Sequence, residues 1–181
     1  MAASLAAQFV QAGHEVLAIT AAYGEAPAEE ERDGYRVVRL PAVKMPQIGL
    51  SIDFDMSFAS LRPGNWRRLW KLLDEFKPDA IHLHGQFFDL SWLAGIWARR
   101  HGVPALLTIH TLLISDNKLY GGVFRLLDAV LVRPILAYLK PKYVILDKLG
   151  VDYCVDRYGT SDANSEYFPI AVDTGHFAKP V

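Results

Sequence analysis

The sequence predicts an α/β fold, a doubly wound and mostly parallel sheet of the Rossmann-like kind. Three observations predict it. Short apolar stretches of strand length alternate with helical patterns of ten or more residues, which is the pattern of βαβ units. Of the 181 residues 51% are apolar, enough for a packed core. No internal repeat, low-complexity tract or interior linker interrupts the pattern, so residues 1–181 read as one domain of ordinary size or one lobe of a larger protein.

Each element can be justified in order. "AASLAAQFVQAG" opens inside a helix, with Leu5, Phe9 and Ala12 at helical spacing and Gly13 as a stop. "HEVLAIT" is a short apolar strand. A polar, Glu-rich connection, "GEAPAEEERDG", leads to the strand "YRVVRLP", which Pro41 ends. Residues 42 to 63, with Pro46, Gly49 and Pro63 and with Gly64 following, read as a long loop. "NWRRLWKLLDEF" is an amphipathic helix with Trp66, Leu69, Trp70 and Leu73 on one face and Asn65 placed to cap it. "DAIHLHG" is a strand, "LSWLAGIWARRHG" a helix and "VPALLTIHT" a strand. A helical region spans roughly Tyr120 to Leu139, and Pro134 kinks or divides it. "KYVIL", "GVDYCVDRYG" and "SEYFPIAVD" then read as strand, short helix and strand. Doubly wound folds normally open on a strand that becomes central, whereas here the first element is a helix. A missing first strand is therefore expected.

Composition narrows the function. With 19 Lys and Arg against 20 Asp and Glu, the charges nearly cancel, which argues against disorder and against a generic nucleic-acid grip. The lone Cys154 allows no internal disulfide and no zinc cluster. No signal-peptide pattern opens the chain, and "AVLVRPILAYL", the best apolar run, is broken by Arg133 and Pro134. A cytoplasmic protein is the expectation.

The chemistry-bearing residues gather at strand ends. Neither GxGxxG nor GxxxxGK[ST] occurs, so the usual dinucleotide and P-loop sites lose their main support. Asp53 and Asp55 form an Asp-x-Asp in a loop, where a solvated acidic loop is the simpler account. His82 and His84 share one strand face, and with His110 on a neighbouring strand they could form a three-histidine metal site of a metal-dependent hydrolase. Such a site needs further ligands, and the only later histidine is His176; His82 reads better as a hydrogen-bonded core histidine. His84 and His110 end their strands, where open parallel sheets bind ligands, and Gly85 and Thr111 follow them directly. Gly85 permits a sharp turn and close backbone approach, and Thr111 offers a hydroxyl. The basic, aromatic run Trp66, Arg67, Arg68, Trp70 and Lys71 could rest on an anionic membrane surface, or its tryptophans could pack on the sheet.

These segments together resemble the N-terminal lobe of family 4 (group 1) glycosyltransferases, which have the two-lobed GT-B fold. "LAAQFVQAGHEVLAIT" is similar to the family's first helix and second strand, and "DGYRVVRLP" to its next strand. "KPDAIHLHG" resembles its Pro-Asp-hydrophobic-hydrophobic-His-x-His segment, and "GVPALLTIHT" the strand that delivers its cleft histidine. "FPIAVDTGHF" resembles the hinge before the second lobe, with Ile170 and Ala171 where the family has Asn-Gly. The resemblance implies an acceptor-binding lobe of a retaining enzyme that transfers a sugar from a nucleotide-sugar, with no catalytic metal or other cofactor. It assigns His110 a catalytic, electrostatic role and makes His84, Gly85 and Thr111 line the cleft. It implies a nucleotide-sugar donor held mainly by a C-terminal lobe absent here, and a sugar or lipid-linked acceptor. The family's glycine-rich first loop and its two glutamates eight apart are not in this sequence, so the lobe alone is expected to be inactive. Peripheral contact at the inner membrane face is a further expectation. The metal-dependent hydrolase and a non-catalytic α/β binding module are the alternatives.

Overall fold

The computed structural model describes residues 2–44 and 57–169. The N-terminal part comprises α1 (Ala2–Gln11), β1 (Leu17–Ala21), β2 (Glu29–Arg32) and β3 (Tyr35–Leu40). Strands β1 and β3 run parallel, and β2 pairs antiparallel to β3 on its far side. Strand β2 lies inside the segment read from sequence as a polar connection. Its glutamates form ion pairs: Glu29 with Arg36 at 2.8 Å and Glu30 with Arg39 at 2.5 Å. The β2–β3 hairpin turns at Asp33-Gly34, both with positive φ (49° and 80°), the backbone that two-residue hairpin turns require.

The short strands β4 (Val43–Lys44) and β5 (Ser57–Phe58) pair antiparallel. Helix α2 (Pro63–Phe76) follows, then β6 (Ile81–His84), α3 (Asp89–His101) and β7 (Ala105–Ile109). Next come α4 (Lys118–Leu127), a π turn (Asp128–Val132), α5 (Arg133–Leu139), β8 (Lys142–Ile145), α6 (Lys148–Tyr158) and β9 (Ser165–Tyr167). Strands β6, β7, β8 and β9 form a sheet in that order, parallel throughout. The α/β class and its parallel sheet are therefore observed.

Two local expectations are corrected. Asn65 does not cap α2: the helix starts at Pro63, with Arg62 at the cap position. Asn65 is instead buried, and its amide donates to the carbonyls of Pro41 (2.6 Å) and Ala59 (2.8 Å), tying the first turn of α2 to β3 and β5. Helix α1 forms where expected; it has no buried residue, and Phe9 is exposed. The buried face of α2 is Leu69, Leu72 and Leu73, while Trp66 is exposed and Trp70 half-buried.

One core spans both sheets, joining Val38 and Leu40 of β3 to Leu83, Leu107 and Ile145. Register places Leu83, Leu107 and Tyr143 side by side on one face of the larger sheet. Helix α3 presses on this face through Gly95, where a Cβ would lie 2.6 Å from Leu139 of α5 and 3.3 Å from Leu83. Only a residue without a side chain allows that approach. Helix α6 meets Ile145 through Gly150 in the same way, at 3.0 Å. Strand alternation then sends His82 and His84 to the opposite face, beside Leu106 and Thr108. Among the described residues β1 pairs only with β3, and β6 only with β7.

Candidate functional site

The strand register builds the site. Because His84 is paired with Thr108, the end of β6 lies beside the end of β7, and His110 follows one residue beyond that strand. His84 Nδ1 and His110 Nε2 are 3.0 Å apart, a hydrogen bond between the two rings. The rings of His82 and His84 stack with centroids 4.3 Å apart, and those of His84 and His110 at 5.3 Å. His82 Nε2 is 2.6 Å from the Thr108 hydroxyl. His82 is therefore the hydrogen-bonded histidine expected, though it is only half-buried and lies on the face away from α3.

This packing keeps the imidazoles neutral. Burial, with the neighbouring His82 and His110, pushes His84 down from 6.5 to about 4. Burial also lowers His82, and His110 adds to it. His110 is lowered chiefly by burial as well, although the residue as a whole is exposed. A bond between two imidazole nitrogens needs a lone pair on one of them, so two positive rings cannot share it.

The turn after β6 is held by contacts that sequence reasoning missed. Gly85 has φ +80°, its N–H donates to the Thr108 carbonyl at 3.0 Å, and a Cβ there would fall 2.6 Å from the Phe88 ring. Gln86 is fully buried and its side-chain amide donates to the Thr111 carbonyl at 2.5 Å, clasping the two strand-end loops together. Its Oε1 has no partner among the described residues. Trp92 donates to the Gln86 carbonyl at 2.8 Å, and Ser91 to the His84 carbonyl at 3.2 Å. Buried Asp89 at the start of α3 accepts from the Ser60 N–H, docking the segment before α2 against the same corner. A polar residue beside the His-x-His-Gly stretch was the only hint of Gln86 in the sequence.

The structure thus brings His84, Gly85, His110 and Thr111 to one sheet end, with Gln86 beneath them. Asp53, Asp55, His176 and the hinge residues from Ile170 onward lie outside the described residues. As a metal site the three histidines are poorly arranged, because they stack and direct ring nitrogens at each other and at Thr108. No three His, Cys, Asp or Glu side chains among the described residues are placed to hold a metal ion. On α2, Arg68 pairs with Glu29 at 3.0 Å and Lys71 with Glu75 at 3.6 Å, while Arg100 sits over the Trp70 ring at 5.1 Å. No helix among the described residues is long and apolar enough to cross a membrane.

The family described as "Glycosyl transferase 4-like domain" matches residues 1–138, which include both strand-end histidines. A GDP-mannose-dependent alpha-mannosyltransferase of Mycolicibacterium smegmatis (strain ATCC 700084 / mc(2)155) is 33% identical over 112 residues, 60% of this chain. That match spans 27% of the relative's length.

Proposed function

The chain belongs to the glycosyl transferase 4-like domain family, and on that premise we propose that residues 1–181 are the N-terminal, acceptor-side lobe of a two-lobed enzyme. That enzyme moves a sugar from a nucleotide-sugar to a sugar or lipid-linked acceptor with retention of anomeric configuration. The observation that carries the reading is the His84–His110 hydrogen bond at the carboxyl ends of adjacent parallel strands. Ligands of open parallel sheets bind at this end.

In this reading His110 is the catalytic residue, acting by position and electrostatics. When His84 Nδ1–H donates to His110 Nε2, neutral His110 carries its own proton on Nδ1. That proton can be donated to an oxygen of the transferring sugar or the acceptor. A donor held in place before reaction costs no reorganisation in the transition state. Gly85 allows the backbone to approach the ligand, and Thr111 contributes its hydroxyl beside it. The nucleotide contacts and donor carboxylates belong to the second lobe, so this chain alone is inactive.

The relative's name makes GDP-mannose the first donor to test. Peripheral membrane contact also belongs to this reading; on α2 it would fall to the exposed Trp66, Arg67 and Lys71, since Arg68 pairs with Glu29 and the half-buried Trp70 lies under Arg100. The test joins this chain to the remainder of its coding sequence and follows transfer from GDP-mannose and from UDP-sugars. His110→Ala should cut turnover about 100-fold or more, with the melting temperature unchanged. Near wild-type turnover in that variant, or no transfer from any nucleotide-sugar, would refute it.

A further inference from the structure

Helix α4, the π turn and α5 form one continuous rod whose outer side is apolar. α4 has no buried residue although it is strongly amphipathic. Leu119 is 72% exposed, Leu126 63% and Val130 68%, and Leu127, Leu131 and Tyr138 are exposed beside them. At 1.5 Å per residue, the stripe from Leu119 to Tyr138 is about 28 Å long. Single exposed leucines are ordinary, but a contiguous stripe of this length marks a contact surface.

The charges on the rod indicate what covers the stripe. Lys118, Arg125, Arg133 and Lys140 are all exposed. The only acid between residues 117 and 140 is Asp128, and it is turned inward. The π turn that begins there leaves Asp128 2% exposed, where it accepts from the Tyr158 hydroxyl at 2.8 Å and faces Arg157 at 3.6 Å. The outward charges of this segment are therefore all positive in a chain whose net charge is −1. On helical spacing Lys118, Arg125 and Arg133 fall along one flank of the leucine stripe, seven and eight residues apart. An apolar strip with a cationic flank and no outward acid fits the boundary between acyl chains and anionic headgroups.

We propose that the outer side of α4–α5 docks in the headgroup layer of an anionic lipid bilayer, lying along its surface. The assignment is independent of the sugar-transfer reading. It concerns a different face from α2, whose basic side chains are partly engaged by internal acids.

The test is flotation of the 181-residue chain with phosphatidylcholine vesicles, with and without phosphatidylglycerol. Binding to the anionic vesicles, weakened by salt, is expected, and Leu126→Glu with Val130→Glu should lower partitioning at least tenfold. Both residues are exposed, so circular dichroism should match wild type. If that variant misfolds, Lys118→Gln, Arg125→Gln and Arg133→Gln together should remove the preference for phosphatidylglycerol. Three results would overturn the proposal: no binding to anionic vesicles, binding unaffected by these changes, or loss on Trp66→Ala with Arg67→Gln alone. A dimer in solution that L126E/V130E converts to monomer, without vesicle binding, would assign the face to a second copy and equally overturn it.

Discussion

Acidification should weaken this fold through His84, and the size of the effect follows from its place in the histidine stack. In the folded chain His84 is pushed down to about 4 from the ordinary 6.5, chiefly by burial. Its unfolded form binds a proton near 6.5, so below that pH the unfolded state takes up a proton that the folded state refuses. Stability is thus whole above pH 6.5 and is lost as pH falls toward 4, opposite in sense to an imidazole that gains an acidic partner. By linkage, the His84 contribution at pH 5 is a loss of about 1–2 kcal/mol relative to pH 7.5, the upper figure applying without the solvent screening that a partly buried ring receives. His82 and His110 are lowered too and act in the same direction. The assay is urea denaturation at pH 7.5 and pH 5 for wild type and His84→Gln, which keeps a polar side chain without the titration. Wild type should lose about 1–2 kcal/mol more than the variant over this interval. Parallel losses in the two proteins would refute the argument that His84 is held neutral by the fold.

Other expectations follow from the same geometry. Calorimetric titration of the 181-residue chain with GDP- and UDP-sugars should give no saturable heat at micromolar concentrations; tight binding would contradict the assignment of the nucleotide to another lobe. Gly85→Ala should destabilise by about 1–2 kcal/mol, because alanine resists φ +80° and its Cβ would meet the Phe88 ring. Adding Phe88→Ala should relieve the contact but not the backbone cost, which denaturation of the double variant would show. Each of β1 and β6 has one paired edge among the described residues, so a chain extended upstream by an apolar strand and a glycine-rich turn should melt higher by about 5 °C or more. An unchanged melting temperature would argue against a strand between them.

Much of this molecule was legible because its determinants are local. Strand-length apolar runs separated by helical patterns led to the α/β class, and the two-residue period of a strand was enough to put His82 and His84 on one face. For the same reason His84 with Gly85 and His110 with Thr111 could be placed at the ends of their strands, which register brings side by side. Even β2 had a local signal, the Asp33-Gly34 turn, which its run of glutamates concealed. What only the tertiary structure decided depends on partners distant in sequence. The bond between His84 and His110 exists because β6 pairs with β7 in the register that sets His84 beside Thr108. Asn65 looked like a cap, yet the carbonyls of Pro41 and Ala59 claimed its amide; Gln86 became a clasp only when the Thr111 loop came within reach. The helical region read over roughly Tyr120 to Leu139 did not say whether its apolar side would be covered. Periodicity along a chain states which residues share a face, and only the packing of distant elements determines whether that face meets protein or solvent.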